Sequence, residues 1–386
     1  MLTLELPEIR ATSPTLAETM RACLLRAGFS KATGGSDFVL GNPKAWLGTA
    51  YHELLEKIAG VSLGEESLEA AVERLWNQAI ASQQNRAGAH VLDRRFGPPT
   101  EWPGYHVAHA SVLLRAQEIA GGTPAQQLGT KQLSGTGPSS TMREQEFNAF
   151  SGRLFGRPDV IRSDEVVDYK SGAILEHDAA TQTDVVKASY VRQLRTYGYL
   201  VKQALGWWPR RGILLPLGGP GVEVSLEPSE CAREANEAIA LLDSYEGMLR
   251  TAAAPEDFAT PSPDSCRWCP YKLICPSFWQ SSSPAWSGQL DGAAVEGTLA
   301  GRPVEIHVGA ARAIAVDIQA GSEERRRAQI APLNPSTHAC VTSLASGDRV
   351  RLVGLRARAD GVLVPAQRTI LTRSADLPAI VLPIMR

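Results

Sequence analysis

The chain has 386 residues, of which 44% are hydrophobic, and this length is sufficient for one large globular core and a smaller second one. Lysine and arginine (39) nearly balance aspartate and glutamate (41), so no overall basic charge identifies a nucleic-acid-binding protein. The sequence contains no apolar run near the roughly 20 residues of a membrane helix, and its start does not resemble a signal peptide. We therefore expect a cytoplasmic protein of two domains with no membrane partner.

The N-terminal third is predicted to be mainly helical. A helix over 13–27 begins with a capping serine followed by a proline, and it would contain Cys23. Residues 65–120 also show helical spacing, interrupted by one Gly-Pro-Pro turn. Residues 121–141 are rich in Gly, Ser, Thr and Gln, which predicts a loop. We therefore assign about 61–141 to a helical insertion.

Short strands and helices alternate in the middle of the chain. The predicted elements are strands over 144–150, 154–162 and 165–172, a helix over 189–205, a strand over 210–217 and a helix over 228–251. A polar turn joins the second and third strands, which predicts a β-hairpin. This order is typical of an α/β domain with a mixed sheet.

Two carboxylates and one lysine are predicted to converge on this hairpin. Asp168 and Lys170 lie two residues apart on an apolar strand, so they share one face. Asp159 lies on the partner strand, where the short turn brings it close to Asp168. Neighbouring carboxylates favour a divalent cation such as Mg²⁺ or Mn²⁺, and the lysine can stabilise charge on a phosphate. The alternative is an ordinary salt bridge at a sheet edge.

The segments GRPDVI and VVDYKSG resemble the core motif of RecB-like PD-(D/E)xK nucleases. This resemblance implies a restriction-endonuclease-like α/β core, a mixed sheet flanked by helices, that hydrolyses DNA. It implies that His52, on an upstream helix, is a third metal ligand beside Asp159 and Asp168; otherwise His52 is an ordinary helix residue. It further implies supporting roles for the helix pair Gln193 and Tyr197, and for an acidic residue on the preceding strand.

The acidic residue is assigned to Glu146, which matches the first acidic position of the family. Glu144, two residues earlier, is predicted to lie on the same strand face and is an open alternative.

Four of the six cysteines form the pattern of a cluster-bearing nuclease. Cys266, Cys269 and Cys275 are closely spaced, and Cys23 lies far upstream. The arrangement is similar to that of CRISPR-associated four-cysteine nucleases and AddB, and this similarity implies a 4Fe-4S cluster that joins the two ends of the nuclease domain. Four thiolates also suit structural zinc, which stays an alternative.

Residues 285–386 are predicted to form a separate, all-β, OB-like domain that follows a nuclease domain over 1–284. Its arginines are candidate phosphate contacts, but no Phe, Tyr or Trp occurs after residue 287. Docking of a helicase or another protein to this domain is therefore an equal expectation.

The leading functional hypothesis is a metal-dependent DNA nuclease, an exonuclease on single strands or DNA ends, acting in repair, recombination or phage defence. The main rival is a non-catalytic DNA-binding or scaffold subunit of a helicase–nuclease complex. An iron–sulfur redox protein ranks last, because it would not need the Asp-Asp-Lys set.

Overall fold

A computed structural model describes most of the chain. The described residues are 2–58, 66–120, 141–162, 164–178, 180–283, 286, 288–308, 311–320, 326–333, 338–358, 363–366 and 368–383. The predicted loop over 121–141 therefore lies outside the described residues except for its last position.

The two helices predicted over 189–205 and 228–251 agree closely with the described ones, α6 and α7. They are α1 (Pro14–Ala22), α2 (Leu24–Lys31), α3 (Pro43–Ile58), α4 (Leu68–Ala89), α5 (Tyr105–Ala120), α6 (Ala188–Leu205), α7 (Pro228–Thr251), α8 (Pro263–Arg267) and α9 (Pro276–Ser281). Helix α6 ends at Gly206, whose φ of 81° suits glycine, and α7 begins with Pro228 at its first position. No helix in the described part of the chain is both long and apolar enough to span a membrane.

The strands fall into two groups along the chain. Before residue 285 they are β1 (Thr3–Glu5), β2 (Met142–Arg143), β3 (Phe147–Ala149), β4 (Leu154–Gly156), β5 (Val160–Arg162), β6 (Glu165–Lys170), β7 (Leu175–Asp178), β8 (Thr183–Val186), β9 (Arg211–Pro216) and β10 (Val222–Ser225). After it they are β11 (Ala293–Leu299), β12 (Val304–Val308), β13 (Ala311–Ala320), β14 (Arg326–Leu333), β15 (Arg349–Ala357), β16 (Leu363–Val364), β17 (Ile370–Arg373) and β18 (Ala379–Val381).

A five-stranded mixed sheet in the order β10-β9-β6-β5-β2 forms the centre of the nuclease-like region. Strands β5 and β6 are antiparallel, as the predicted hairpin requires, whereas β6 and β9 are parallel and are connected through α6. Helices α3, α4 and α5 pack on one face of the sheet, and α6 and α7 pack on the other. The predicted mixed sheet flanked by helices is confirmed.

Strands β11 to β17 form a second, seven-stranded sheet with its own core. Strand β11 pairs with both β13 and β15, and β13, β14, β16 and β15 are paired in succession, so five strands close a ring. The first strand of the chain, β1, pairs in parallel with the last one, β18. A shared apolar cluster also contains Leu4, Leu273 and Val353, so the N-terminal segment, the cysteine segment and the C-terminal sheet pack together.

Three local predictions are wrong. The strand predicted over 154–162 is divided into β4 and β5, so Asp159 immediately precedes β5. The helix over 13–27 does not run through Cys23, because this residue is extended (φ −171°, ψ 121°) and separates α1 from α2. The predicted strand over 144–150 is reduced to β3, because Glu144 has a φ of 50° and bends the chain. Glu144 and Glu146 are therefore not two positions of one regular strand.

Candidate active site

The register of the β5–β6 hairpin brings the two predicted aspartates together. Val160 pairs with Val167, so the next pair of positions along these antiparallel strands is Asp159 and Asp168. The backbone N–H of Tyr169 donates a hydrogen bond to Asp159 Oδ2 at 2.6 Å, which fixes this carboxylate against the neighbouring strand. Two acidic side chains thus lie side by side at the carboxyl end of β6.

Burial makes this pair of carboxylates costly to ionise. Asp168 is 3% exposed, and burial raises its pKa, although the neighbouring Lys170 opposes that increase. Burial, and then the charge of Asp168, raises the pKa of Asp159 well above its usual value. An added positive charge would therefore stabilise the ionised form of both groups.

Lys170 is held by three groups on β6 and α6. Its Nζ lies 2.5 Å from Asp168 Oδ2 and donates a hydrogen bond to Gln193 Oε1 at 2.7 Å. The ring centroid of Tyr190 lies 4.6 Å from the same Nζ, within the range of a cation–π contact. Gln193 Nε2 in turn donates to the hydroxyl of Tyr197 at 3.1 Å. The two predicted helix residues thus form a chain of hydrogen bonds that ends on the lysine.

His52 reaches the carboxylates from α3, on the other side of the sheet. Its Nδ1 lies 3.8 Å from Asp159 Oδ2. Burial lowers the pKa of His52, which favours the neutral imidazole that ligates metals. Helix α3 comes close to the end of β6 at Gly48, where an added Cβ would lie 2.3 Å from Ser171 Oγ. Gly48 therefore marks the point where α3, the helix of His52, packs closely against the end of β6.

The acidic residue that lies beside Asp159 is Glu144. Its backbone N–H donates to the carbonyl oxygen of Asp159 at 3.2 Å, and the charge of its carboxylate contributes to raising the pKa of Asp159. Arg157 forms an ion pair with Glu144 at 2.8 Å. Glu146 is exposed, and among the described residues no contact joins it to this group. The geometry therefore favours Glu144 over the predicted Glu146 as the acidic neighbour of Asp159.

The profile of the PD-(D/E)XK nuclease superfamily matches residues 11–276, which include the carboxylates, the lysine and all four clustered cysteines. The chain belongs to the PD-(D/E)XK nuclease superfamily. No curated protein matches it. A solved structure from Eubacterium rectale, described as a candidate exonuclease, is similar at 12% identity and a TM-score of 0.34, covering 72% of this chain and 90% of that one. At this TM-score the likeness carries no argument, so the assignment depends on the profile.

The donor set of this nuclease fits the divalent cation, Mg²⁺ or Mn²⁺, that the superfamily typically uses. Asp168 Oδ2 is buried and accepts no hydrogen bond of normal geometry from the described residues, even though Lys170 Nζ is close. Hard carboxylate oxygens with raised pKa values are suitable partners for such an ion. As the side chains stand, no three His, Cys, Asp or Glu groups within the described ranges are arranged to hold a metal. The lysine and a cation would compete for Asp168.

The four predicted cluster cysteines of the nuclease line one cavity. Cys23 is the extended residue between α1 and α2, where the chain turns towards the cysteine segment. Cys266, Cys269 and Cys275 complete the lining of the cavity. Burial raises the pKa of Cys269 to about 11 and that of Cys275 to about 12. Buried thiols of this kind are expected to ionise only with a metal ion or strong cationic help. The cavity therefore fits a thiolate-bound metal chemically.

Cys231 and Cys340 lie apart from this cavity, as predicted. Cys231 is fully buried between α6 and α7, and Cys340 belongs to the C-terminal core. All six cysteines are free thiols in the structure.

Sequence reasoning missed Tyr190 and Gly48. Tyr190 lies three residues before Gln193 on α6, so the helical period would have placed both on the face that meets Lys170. Gly48 carried no such signal, because its role depends on a contact with a residue more than 100 positions away.

Proposed function

We propose that this member of the nuclease superfamily is a DNA exonuclease of the RecB-like branch that acts on single strands or DNA ends with Mg²⁺ or Mn²⁺. The observation that carries the proposal is the convergence of Asp159, Asp168 and Lys170, with the lysine held by Gln193. A salt bridge at a sheet edge would not need two buried, adjacent carboxylates, which are costly without a cation.

Each residue has a distinct proposed role. Asp159, Asp168 and His52 would hold the divalent cation, with Glu144 supporting Asp159. The cation, when bound, would polarise the scissile phosphate and make a nearby water more acidic. Lys170 would neutralise the charge that builds on the phosphate oxygens during cleavage. Gln193 and Tyr197 would keep Lys170 aimed at that position.

The test compares the wild type with Lys170→Met on uniformly labelled linear and circular DNA, single- and double-stranded, with Mn²⁺. We expect mononucleotides or short products from linear DNA, little cleavage of circles, and at least a hundred-fold slower reaction for the variant. Lys202→Met, on the far end of the same helix, is the matched control. Equal cleavage by wild type and Lys170→Met would overturn the catalytic assignment, and binding without cleavage would favour the scaffold role. Rapid cutting of circles would indicate an endonuclease.

We further propose that Cys23, Cys266, Cys269 and Cys275 bind a 4Fe-4S cluster that joins the ends of the nuclease domain. The support is their shared cavity, formed from segments more than 240 residues apart in sequence. Anaerobically purified protein is expected to be brown and to lose both colour and thermal stability in Cys266→Ser. Cys231→Ser, which changes a buried cysteine outside the cavity, should keep the colour. If the purified protein is colourless and contains zinc, the four cysteines bind structural zinc and not an iron–sulfur cluster.

The nuclease domain over 1–284 and an OB-like domain over 285–386 stay as proposals for the domain organisation. The closed ring of five strands is the support for an OB-like barrel. Glu296 forms ion pairs at 2.8 Å with both Arg349 and Arg351, two of the candidate phosphate contacts. Because Glu296 already engages both cations and offsets half of their charge, we favour docking of a helicase or another protein over DNA binding by this domain. Because β1 pairs with β18, each of the two proposed domains would contribute one strand to this two-stranded sheet.

A further inference from the structure

Lys272 is a buried cation in the lining of the four-cysteine cavity. It belongs to the segment between Cys269 and Cys275, and its residue exposure is only 7%. Its Nζ donates one hydrogen bond, at 2.9 Å, to the carbonyl oxygen of Arg267 at the end of α8. Among the described residues no carboxylate lies within ion-pair distance of this ammonium. Lysine is rarely buried without a counter-charge, so the missing negative partner requires an explanation.

The carboxylate whose charge acts on Lys272 does not serve as this negative partner. Asp291 acts on Lys272 from a longer distance and is itself bound by the guanidinium of Arg368. A second cation, Arg26, also lines the cavity and acts on Cys269. With four neutral thiols, this region would carry net positive charge in a poorly hydrated place, which is unfavourable.

Ionised cysteines would remove this imbalance. Four thiolates around Zn²⁺, or around an oxidised 4Fe-4S core, form a dianion. We propose that Lys272 is the counter-charge of a dianionic metal–thiolate centre in the four-cysteine cavity, and that it increases the affinity of the cavity for that metal. The inference rests on the proposed cofactor of the nuclease, and it holds for iron–sulfur and for zinc alike.

If Lys272 has a purely structural role, its charge is expected to have no effect on metal affinity. The hydrogen bond from Lys272 to Arg267 would then only cap α8, and the charge of the side chain would not matter for metal affinity. A glutamine at this position is uncharged but can still donate a hydrogen bond. Lys272→Gln and the apolar Lys272→Met together therefore separate the charge from the cap.

The experiment measures metal affinity in the full chain by competition with a chelator, with Zn²⁺ as the probe, and iron per chain after anaerobic purification. We expect both Lys272→Met and Lys272→Gln to bind Zn²⁺ roughly 10- to 100-fold more weakly, the usual effect of losing a partner in the outer shell of a metal site. Lys202→Met is the matched control, because Lys202 also donates to a carbonyl at a helix end, that of Gly206 at 2.8 Å. It should bind Zn²⁺ within about two-fold of the wild type.

The outcomes separate this inference from the cofactor proposal. If the wild type binds metal and Lys272→Gln binds it equally well, Lys272 is a cap and the inference is overturned while the cofactor stands. If the wild type binds neither iron nor zinc, the cofactor proposal fails and the counter-charge role fails with it. Circular dichroism establishes which variants fold. If Lys272→Met does not fold, Lys272→Gln alone decides between the counter-charge role and the cap.

Discussion

Replacement of Asp159 by asparagine should stabilise the metal-free protein while it abolishes cleavage. Asp159 and Asp168 occupy neighbouring positions on antiparallel strands, where Cβ atoms lie about 5 Å apart. Two carboxylates at that separation repel each other by about 3 kcal/mol at an effective dielectric constant of about 20. Lys170 offsets part of this repulsion, so we expect a net gain of about 2 kcal/mol at pH 7.5. The asparagine keeps an oxygen that can accept from the N–H of Tyr169.

The sign of the pH dependence follows from the raised pKa of Asp159. A carboxyl group whose pKa is higher in the folded than in the unfolded protein reduces stability once the pH exceeds the unfolded value of about 3.9. The advantage of Asp159→Asn should therefore be greatest at neutral pH. It should shrink as the pH falls through the folded-state pKa, and it should vanish when the carboxyl is protonated in both states.

Thermal unfolding in EDTA measures this difference. A gain of about 2 kcal/mol corresponds to an increase in Tm of roughly 4 to 8 °C for a domain of this size. Asp184→Asn, whose carboxylate is 67% exposed on the β7–β8 hairpin, is the control and should leave Tm nearly unchanged. Millimolar Mg²⁺ or Mn²⁺ should raise the Tm of the wild type but not that of Asp159→Asn. A lower Tm for Asp159→Asn in EDTA at pH 7.5 would refute the reasoning.

Three further predictions concern the surroundings of the site. Gln193→Leu removes the hydrogen bond to Lys170, so kcat should fall roughly 10- to 100-fold with little change in KM for DNA; a change in KM alone would contradict the positioning role. Gly48→Ala should lower both Tm and activity through its clash near Ser171, and adding Ser171→Ala should restore part of both. Deletion of residues 1–6 should lower the Tm of the full chain, because the partner of the last strand is lost; an unchanged Tm would show that this pairing contributes nothing to stability.

The parts of the site that sequence could predict are those that depend on local spacing. The separation of Asp168 and Lys170 by two residues places them on one strand face, and a short turn brings Asp159 beside them. Gln193 and Tyr197 share a helix face because they are four residues apart. The bounds of α7 were equally accessible, since its first-position proline and its apolar spacing are visible in the sequence.

Predictions failed where a residue responds to a distant segment. Cys23 lies in a stretch with helical spacing, yet its backbone is extended where the chain meets the cysteine segment, more than 240 residues later. The choice between Glu144 and Glu146 depended on a bend at Glu144, which alternation along a regular strand does not predict.

The sequence alone therefore establishes which chemical groups the protein has and how they are spaced within single strands and helices. Only the tertiary structure shows that Tyr190 contacts Lys170, that α3 approaches the end of β6 at Gly48, and that Lys272 has no carboxylate partner within the described residues. The physical reason is that strand alternation and helical period act over a few residues. Contacts between segments that lie far apart in sequence depend instead on how whole faces pack.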